Sequence, residues 1–177
     1  MTIRCECKVF NIGSQLIARL PESASKSLPT RGQTMVEGIL NGVPIHLPLE
    51  PDGKNSHWFE INSKLNKVIN IKDGDKVVLK LNPSKNWIEP QVPSDLMKAL
   101  SLSSEAYSMW QKITPLARWE WIRWIRSTGQ KQTRIHRIEV TVSKLVSGKR
   151  RPCCWNRNLC TEPSVSKNGI LLLPSKD

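Results

Sequence analysis

Apolar and polar residues alternate in short runs over the first half of the chain, and residues that favour turns separate these runs. The alternating runs occupy residues 8–10, 15–20, 34–40, 43–49, 57–61 and 76–81. A period of two indicates strands with one buried face, and repeated short strands indicate a small barrel or sandwich. Asn41-Gly42 predicts a type I′ hairpin turn. Pro44 and Pro48 place the next strand at an edge, because proline donates no ladder hydrogen bond. Residues 66–71 fit a short helix or a loop.

The second half of the chain has the spacing of helices. Residues 87–93 are rich in proline and predict an extended connector. Helices are expected to begin at Ser94, after Ser103 or Ser104, at Thr114-Pro115 and at Thr133, and Gly148 ends the last one. The two halves together predict an α+β fold. Its expected parts are a β-barrel domain at 1–86, the connector at 87–93, a helical module at 94–150 and an irregular, cysteine-containing tail at 151–177.

Positive charge is concentrated in one segment of the helical half. The 177 residues carry a formal net charge of +12, and residues 118–157 hold 11 lysines and arginines against only Glu120 and Glu139. Such a concentration creates a positive field that favours anionic partners, namely nucleic acid, an anionic small molecule or an acidic protein. A solubilising surface explains the same pattern, and the charge alone does not separate the two interpretations.

Residues 116–126 predict a helix rich in tryptophan and arginine. At 100° per residue, Trp121 and Trp124 share the arc that should face the core. The opposite arc, which should face water, holds Trp119, Glu120, Arg123 and Arg126. Two interpretations of Trp119 are open: it stacks on a base between the arginines, or it packs at a seam with the β domain. We favour the seam.

The cysteines and histidines match no common metal or catalytic pattern. Cys5, Cys7, Cys153, Cys154 and Cys160 contain no CxxC pair, so free thiols are expected. A zinc site made of the last three with His136 has unsuitable spacing. There is no phosphate loop, HExxH motif or dinucleotide fingerprint. We therefore predict no metal, no cofactor and no enzyme activity.

The chain also lacks the pattern of a membrane or secreted protein. No run of 18 apolar residues is present, and the first residues contain no uninterrupted apolar stretch. We expect a cytoplasmic protein without a membrane span. The oligomeric state is not predicted.

Several motifs together resemble two known families. Leu28-Pro-Thr-Arg-Gly, Leu49-Glu-Pro-Asp-Gly and His57-Trp58 resemble the bacterial domain of unknown function that forms a small β-barrel. Val92-Pro-Ser-Asp-Leu, Thr133-Arg134 and Gly148-Lys-Arg resemble the bacteriocin-protection module called YdeI or OmpD-associated. The ending that starts at Arg150 also looks like a recurrent ending of this two-part family. The resemblance implies a Greek-key, double-split type of barrel followed by helices. It brings no catalytic residue, and its name implies a link to bacteriocin or antimicrobial-peptide tolerance.

Our first hypothesis is a non-enzymatic binding protein that holds an anionic ligand or partner where the barrel meets the tryptophan- and arginine-rich helix. The candidate binding residues are Arg31, His57, Trp58, Trp119, Arg123, Arg134 and Arg137. The second hypothesis is sequence-independent nucleic-acid binding through residues 118–157, which strong salt dependence would reveal. The third is an unrecognised enzyme, for which a pocket joining a histidine to a cysteine or carboxylate would be the indication.

Overall fold

The computed structural model describes residues 1–153, 156 and 159–175. The chain divides into two compact units: residues 1–86 together with the end of the chain from residue 164, and residues 87–163. We call them the barrel unit and the helical unit. Each contains a hydrophobic core of its own. The predicted α+β class, with a barrel followed by helices, is confirmed.

Six antiparallel strands form a closed barrel in the order β1-β2-β5-β4-β3-β6, with β6 returning to β1. The strands are β1 Ile3–Ile12, β2 Gln15–Arg19, β3 Thr34–Leu40, β4 Val43–Pro51, β5 His57–Glu60 and β6 Lys76–Pro83. Two short helices lie between them, α1 at Glu22–Lys26 and α2 at Ser63–Ile69. Of the two possibilities for residues 66–71, the helix is therefore present up to Ile69.

Alternation along the strands fills the interior of the barrel. Cys7 and Val9 of β1 are buried, as are Val77 and Leu79 of β6, and Cys7 lies opposite Val77. A shift of one residue would turn all of these side chains outward, so burial fixes the register. Gly38 of β3 permits a close approach to β6, because a Cβ atom there would lie 2.0 Å from the carbonyl oxygen of Lys80.

The strand with two prolines is not an edge strand, since β4 pairs with both β3 and β5. However, β5 contacts β4 only at Glu50 and Pro51, whereas β3 pairs with β4 from residue 43 to residue 49. Pro44 and Pro48 thus lie where β4 has one neighbour. Proline's missing N–H is therefore tolerated at these two positions, as in an edge strand. The barrel closes further along β4, where Glu50 and Pro51 pair with β5. Asn41 and Gly42 join β3 to β4 with positive φ angles of 46° and 84°, as a type I′ turn requires.

The end of the chain packs on the outside of the barrel. Within the tail, for which we predicted irregular structure, the described residues include two short strands, β7 at Ser166–Lys167 and β8 at Ile170–Leu171. Val165 and Leu171 form a second, smaller core with Trp58 of the barrel. Leu171 also donates its backbone N–H to the carbonyl oxygen of Asp52, 3.0 Å away.

The helical unit contains α3 at Ser94–Ser101, α4 at Ser104–Lys112, α5 at Pro115–Arg126 and α6 at Lys131–Val146. Ser103 and Thr114 cap α4 and α5, each accepting a hydrogen bond from a backbone N–H three residues later at 3.2 Å. Trp121 is buried and Trp124 packs against the same core, as predicted. Among the described residues, none of the helices has both the length and the apolar character needed to cross a membrane.

Candidate functional site

Two of the predicted binding residues, Arg31 and His57, are brought together by Ser25. The Nε2 atom of His57 lies 2.9 Å from the carbonyl oxygen of Gly32, so this nitrogen carries the proton and donates it. The Nδ1 atom then accepts from the Ser25 hydroxyl at 2.7 Å. Arg31 donates to the same hydroxyl at 3.1 Å and to the carbonyl oxygen of Ser25. This hydrogen-bond chain joins α1, the loop before β3 and the start of β5.

The chain of hydrogen bonds requires a neutral imidazole. Burial lowers the pKa of His57 below its usual 6.5, the hydrogen bond to Gly32 opposes this shift, and the charge of Arg31 lowers the pKa further. Ser25 and His57 are both 0% exposed. A serine and histidine at this distance resemble a nucleophile with its base. Because both are covered, however, no substrate reaches the hydroxyl in this arrangement, and its contacts serve to hold Arg31.

Trp58, a third candidate, contributes to packing. It is 3% exposed and forms part of the small core beneath the tail. Its indole N–H donates to the carbonyl oxygen of Pro51 at 3.3 Å. A tryptophan with its ring buried and its N–H bonded presents no surface to a ligand.

The prediction that Arg123 and Glu120 face water is wrong. Arg123 is 0% exposed and Glu120 is 3% exposed. The amphipathic analysis assumed one buried face, but α5 buries side chains at 117, at 120–123 and at 125. Arg151 forms an ion pair with the buried Glu120 at 2.8 Å. Trp119 is only partly buried, and its indole N–H donates to the carbonyl oxygen of Ile88 at 2.8 Å.

The other candidate arginines of the helical unit bind atoms of the unit itself. Arg134 makes two hydrogen bonds to Asp95, at 2.7 and 2.9 Å. These bonds lower the pKa of Asp95 below its usual 3.8. Arg137 lies over the ring of Trp124, 5.2 Å from its centroid, and donates to the hydroxyl of Ser127 at 2.7 Å. Both side chains therefore stabilise contacts between helices or at helix ends, and neither is held open for a phosphate.

Cys5, Cys7 and Cys160 are free thiols. The Sγ atoms of Cys5 and Cys7 on β1 lie 3.7 Å apart. The contact with Cys5, together with burial, raises the pKa of Cys7. Cys153 is exposed and Cys160 is buried. The prediction for Cys154 concerns a residue outside the described ones. Among the residues that the structure describes, no three His, Cys, Asp or Glu side chains are grouped as ligands for a metal ion.

The feature that sequence reasoning missed is a row of three basic side chains on the outer face of the barrel. Lys8 of β1 lies opposite Arg19 of β2 on one side and opposite Lys76 of β6 on the other. Asp52 forms an ion pair with Arg19, and Glu6 forms one with Lys76, each at 2.7 Å. Lys8 makes no ion pair with any of the residues that the structure describes. Like charges opposite one another destabilise a sheet, so this arrangement is not optimal for folding.

This row lies along a groove with a volume of about 500 Å³, which we call the barrel groove. The charged residues that line it are Glu6, Lys8, Arg19 and Lys76, and the apolar ones are Phe10, Leu20, Pro21, Leu173 and Pro174. The last two belong to the tail, which supplies one wall. Ligand pockets commonly measure about 300–1,000 Å³ and combine apolar walls with a few polar groups. The barrel groove has both properties.

Arg19 is the fixed element of the groove. Its Nε and Nη2 atoms lie 2.8 and 2.7 Å from the same carboxylate oxygen of Asp52. The other oxygen of Asp52 accepts from the backbone N–H groups of Lys54 and Ser56, at 2.7 and 2.8 Å. Asp52 is only 1% exposed. The turn after β4 thus holds one basic wall of the groove in place, and Lys8 beside it is exposed.

One sequence signal did point to the groove. Glu6, Lys8 and Phe10 occupy alternate positions, so a strand through residues 6–10 places all three on one face. The positions of Arg19 and Lys76 beside them depend on the order of the strands, which local patterns do not give.

The structure defines a two-part protein: a closed six-stranded barrel with a groove on its outer face, followed by a unit of four helices. Residues 8–81 match the family described as Domain of unknown function (DUF1905). Residues 89–148 match the family described as Bacteriocin-protection, YdeI or OmpD-Associated. The chain therefore matches the two families in tandem, which confirms the resemblance found in the sequence. A comparison with curated proteins gives no match.

Proposed function

We propose that this protein is a non-enzymatic binding protein that holds an anionic ligand in the barrel groove. The observation that carries the proposal is Lys8, a basic side chain between two others whose charges are already balanced by carboxylates. An arrangement that costs stability is expected where binding requires it. The groove lies entirely within the barrel unit, so the proposal needs only that unit to be folded as described.

A binding role is favoured over catalysis by the state of the ionisable groups. The closest pair to a catalytic dyad, Ser25 and His57, is fully buried and is used to position Arg31. Among the described residues that line it, the groove contains lysine, arginine and one glutamate, and neither histidine nor cysteine. The family description of the helical unit names bacteriocin protection, and a role in tolerance of bacteriocins is a prediction from that resemblance.

Anion binding in the barrel groove is also favoured over nucleic-acid recognition through residues 118–157. Arg118, Arg134 and Arg137 each bond to oxygen atoms within the helical unit. Phosphate contacts require basic groups that are free to replace counterions. These three side chains are already engaged in the fold and are therefore poorly suited to that task.

Acetate, benzoate and phosphate serve as probes for the proposed site. Each is titrated at constant ionic strength into ¹⁵N-labelled full-length protein, and the amide signals of Lys8 and Lys76 are followed. Saturable shifts are expected for wild type and for Lys8→Arg, and their loss for Lys8→Gln. Lys80→Gln is the matched control, since Lys80 also lies opposite a basic residue, Arg4, and does not line the groove. If no anion shifts these signals saturably, or if Lys8→Gln and Lys80→Gln respond alike, the proposal is wrong.

A further inference from the structure

We infer that the ligand of the barrel groove is a small amphipathic monocarboxylate whose carboxylate binds Lys8 and whose apolar body lies against Phe10 and Leu173. This inference rests on the proposed function and adds the chemical class of the ligand. It follows from two properties of the groove, the balance of its charges and the chemistry of its remaining surface.

The balance of charges favours a ligand with a single negative charge. Among the residues that the structure describes, Asp52 neutralises Arg19 and Glu6 neutralises Lys76, which leaves the positive charge of Lys8 unbalanced. Glu6 also lines the groove, and its pairing with Lys76 leaves that lysine little attraction for a second negative charge on the ligand. The charge of Lys8 therefore matches the single charge of a carboxylate and balances only half of the charge of a doubly charged phosphate.

The rest of the groove surface is apolar. Phe10 projects from the outer face of β1, next to Lys8 along the strand, and Leu20 and Pro21 follow the end of β2. Leu173 of the tail faces them, and both Phe10 and Leu173 pack against the small core under the tail. An apolar group placed between Phe10 and Leu173 is removed from contact with water on two sides, and this transfer is favourable. A ligand with no apolar part would leave this surface wet.

Position along the strands gives the ligand an orientation. Lys8 and Phe10 are two residues apart on the same face of β1, so their side chains are neighbours about 7 Å apart along the strand. The carboxylate therefore binds at Lys8, and the apolar body extends along β1 toward Phe10 and Leu173. The groove volume of about 500 Å³ holds a small organic molecule and is far too small for a folded macromolecule.

A series of straight-chain carboxylates tests the inference. Acetate, butanoate and hexanoate are titrated into the full-length protein, and dissociation constants are taken from the amide signals of Phe10 and Leu173. Each methylene group buried in the groove should raise the affinity about fourfold. Hexanamide, which has the same body without the charge, should bind at least about tenfold more weakly than hexanoate. Phosphate should bind more weakly than hexanoate.

Variants assign the chain-length effect to the groove. Phe10→Ala should reduce hexanoate affinity about tenfold and change acetate affinity less than about twofold, because only the longer ligand reaches the ring. Leu173→Ala gives the same readout if Phe10→Ala does not fold. Ile39→Ala, an exposed residue on β3 outside the groove, is the control.

The outcomes separate this inference from the proposed function. Affinity that depends on Lys8 but not on chain length would overturn the inference and leave anion binding intact. Tighter binding of phosphate than of hexanoate would overturn it as well. If acetate and hexanoate do not bind but phosphate does, the inference fails and anion binding stands; if none of the three binds, the proposed function itself fails, and the inference fails with it. Chain-length dependence that persists unchanged in both Phe10→Ala and Leu173→Ala would place the apolar contact elsewhere and refute the assignment to the groove.

Discussion

Arginines of the helical unit bind oxygen atoms of that unit, whereas the barrel unit leaves one lysine of a three-strand basic row without an ion pair among the described residues. Arg118, Arg134 and Arg151 each contact a carboxylate of their own unit. Lys8 instead lies between two other basic side chains. These three arginines of the most basic segment thus use their charge for folding, whereas Lys131, Lys149 and Arg150 of the same segment are exposed.

The comparison shows why charge density alone is a poor guide to a binding site. A basic residue that binds an internal carboxylate or carbonyl contributes to stability, and its field outside the protein is largely cancelled. A basic residue that costs stability is informative even when it stands in a less charged region. We therefore expect substitutions of the engaged arginines to lower stability in the helical unit, and substitution of Lys8 in the barrel groove to leave it unchanged. Five predictions sharpen or break this contrast.

The largest effect is expected at His57, which supports Arg31 from inside the barrel unit. His57→Ala removes the hydrogen bonds to Ser25 and Gly32 and leaves a cavity, so the free energy of unfolding should fall by about 2–4 kcal/mol. Chemical denaturation at pH 7.5 measures this loss. His136→Ala, at a side chain that is 72% exposed, is the control and should change stability little.

The same residue predicts a pH dependence. Above pH 6.5, His57 is neutral in the folded and in the unfolded chain, and its contribution to stability is fully present. Below that value the unfolded chain takes up a proton while the folded chain does not, because burial lowers the folded pKa. Stability should therefore fall as the pH decreases from 6.5 towards the lowered pKa. His57→Ala should lack this component, and an identical pH dependence in variant and wild type would contradict the assignment.

A smaller loss is expected for Arg118→Ala in the helical unit, where the free energy of unfolding should fall by about 1–3 kcal/mol. Arg118 donates to the carbonyl oxygens of Trp110 and Gln111, at 2.9 and 2.8 Å, near the C-terminus of α4. These carbonyls have no partner within a helix, so the guanidinium stabilises the helix end. Urea denaturation followed by tryptophan fluorescence measures the loss. Lys112→Ala, an exposed residue at the same helix end, is the control. Equal effects of the two substitutions would show that Arg118 is not a structural residue.

The coupling free energy between Asp95 and Arg134 should be smaller still, below about 1 kcal/mol, because both side chains are partly exposed. The hydrogen bonds from Arg134 lower the folded pKa of Asp95. Their stabilising effect is therefore complete above the usual pKa of 3.8 and is lost as the pH falls through the lowered value. A double-mutant cycle with Asp95→Asn and Arg134→Ala, run at pH 7 and at pH 2, measures it. A coupling that is unchanged at pH 2 would contradict the ion pair.

Local pattern predicted the elements of the fold because each depends on few neighbours. The Asn41-Gly42 turn needs two residues that tolerate positive φ, and the caps at Ser103 and Thr114 need one hydroxyl each. The burial of Arg123 was missed because periodicity assigns a helix one buried face, whereas α5 is covered around most of its circumference. The number of faces that a helix buries is decided by packing, which the sequence of the helix does not contain.

The groove could not be predicted for a related reason. Lys8 and Lys76 are neighbours only because the last strand of the barrel returns to the first, and Arg19 joins them because β2 lies on the other side of β1. Leu173 and Pro174 come from the tail, which lies far away in the chain. Local patterns predicted the strands and did not predict their order. Of the seven candidate residues, the structure brings Arg31 and His57 together, whereas Trp58 and Arg123 are buried.

The smallest effect on stability, and the sharpest test of the comparison, is expected at Lys8. Lys8→Ala removes a charge that faces Arg19 and Lys76, so the free energy of unfolding should stay constant or rise by up to about 0.5 kcal/mol. Any gain should shrink in high salt, which screens repulsion between exposed charges. Lys80→Ala is the control, because Lys80 faces Arg4 across the same two strands and should respond alike. The two lysines should thus match in stability and differ only in anion binding. A loss of more than about 1 kcal/mol in Lys8→Ala alone would show that Lys8, like Arg118, supports the fold, and its charge would then no longer point to a ligand.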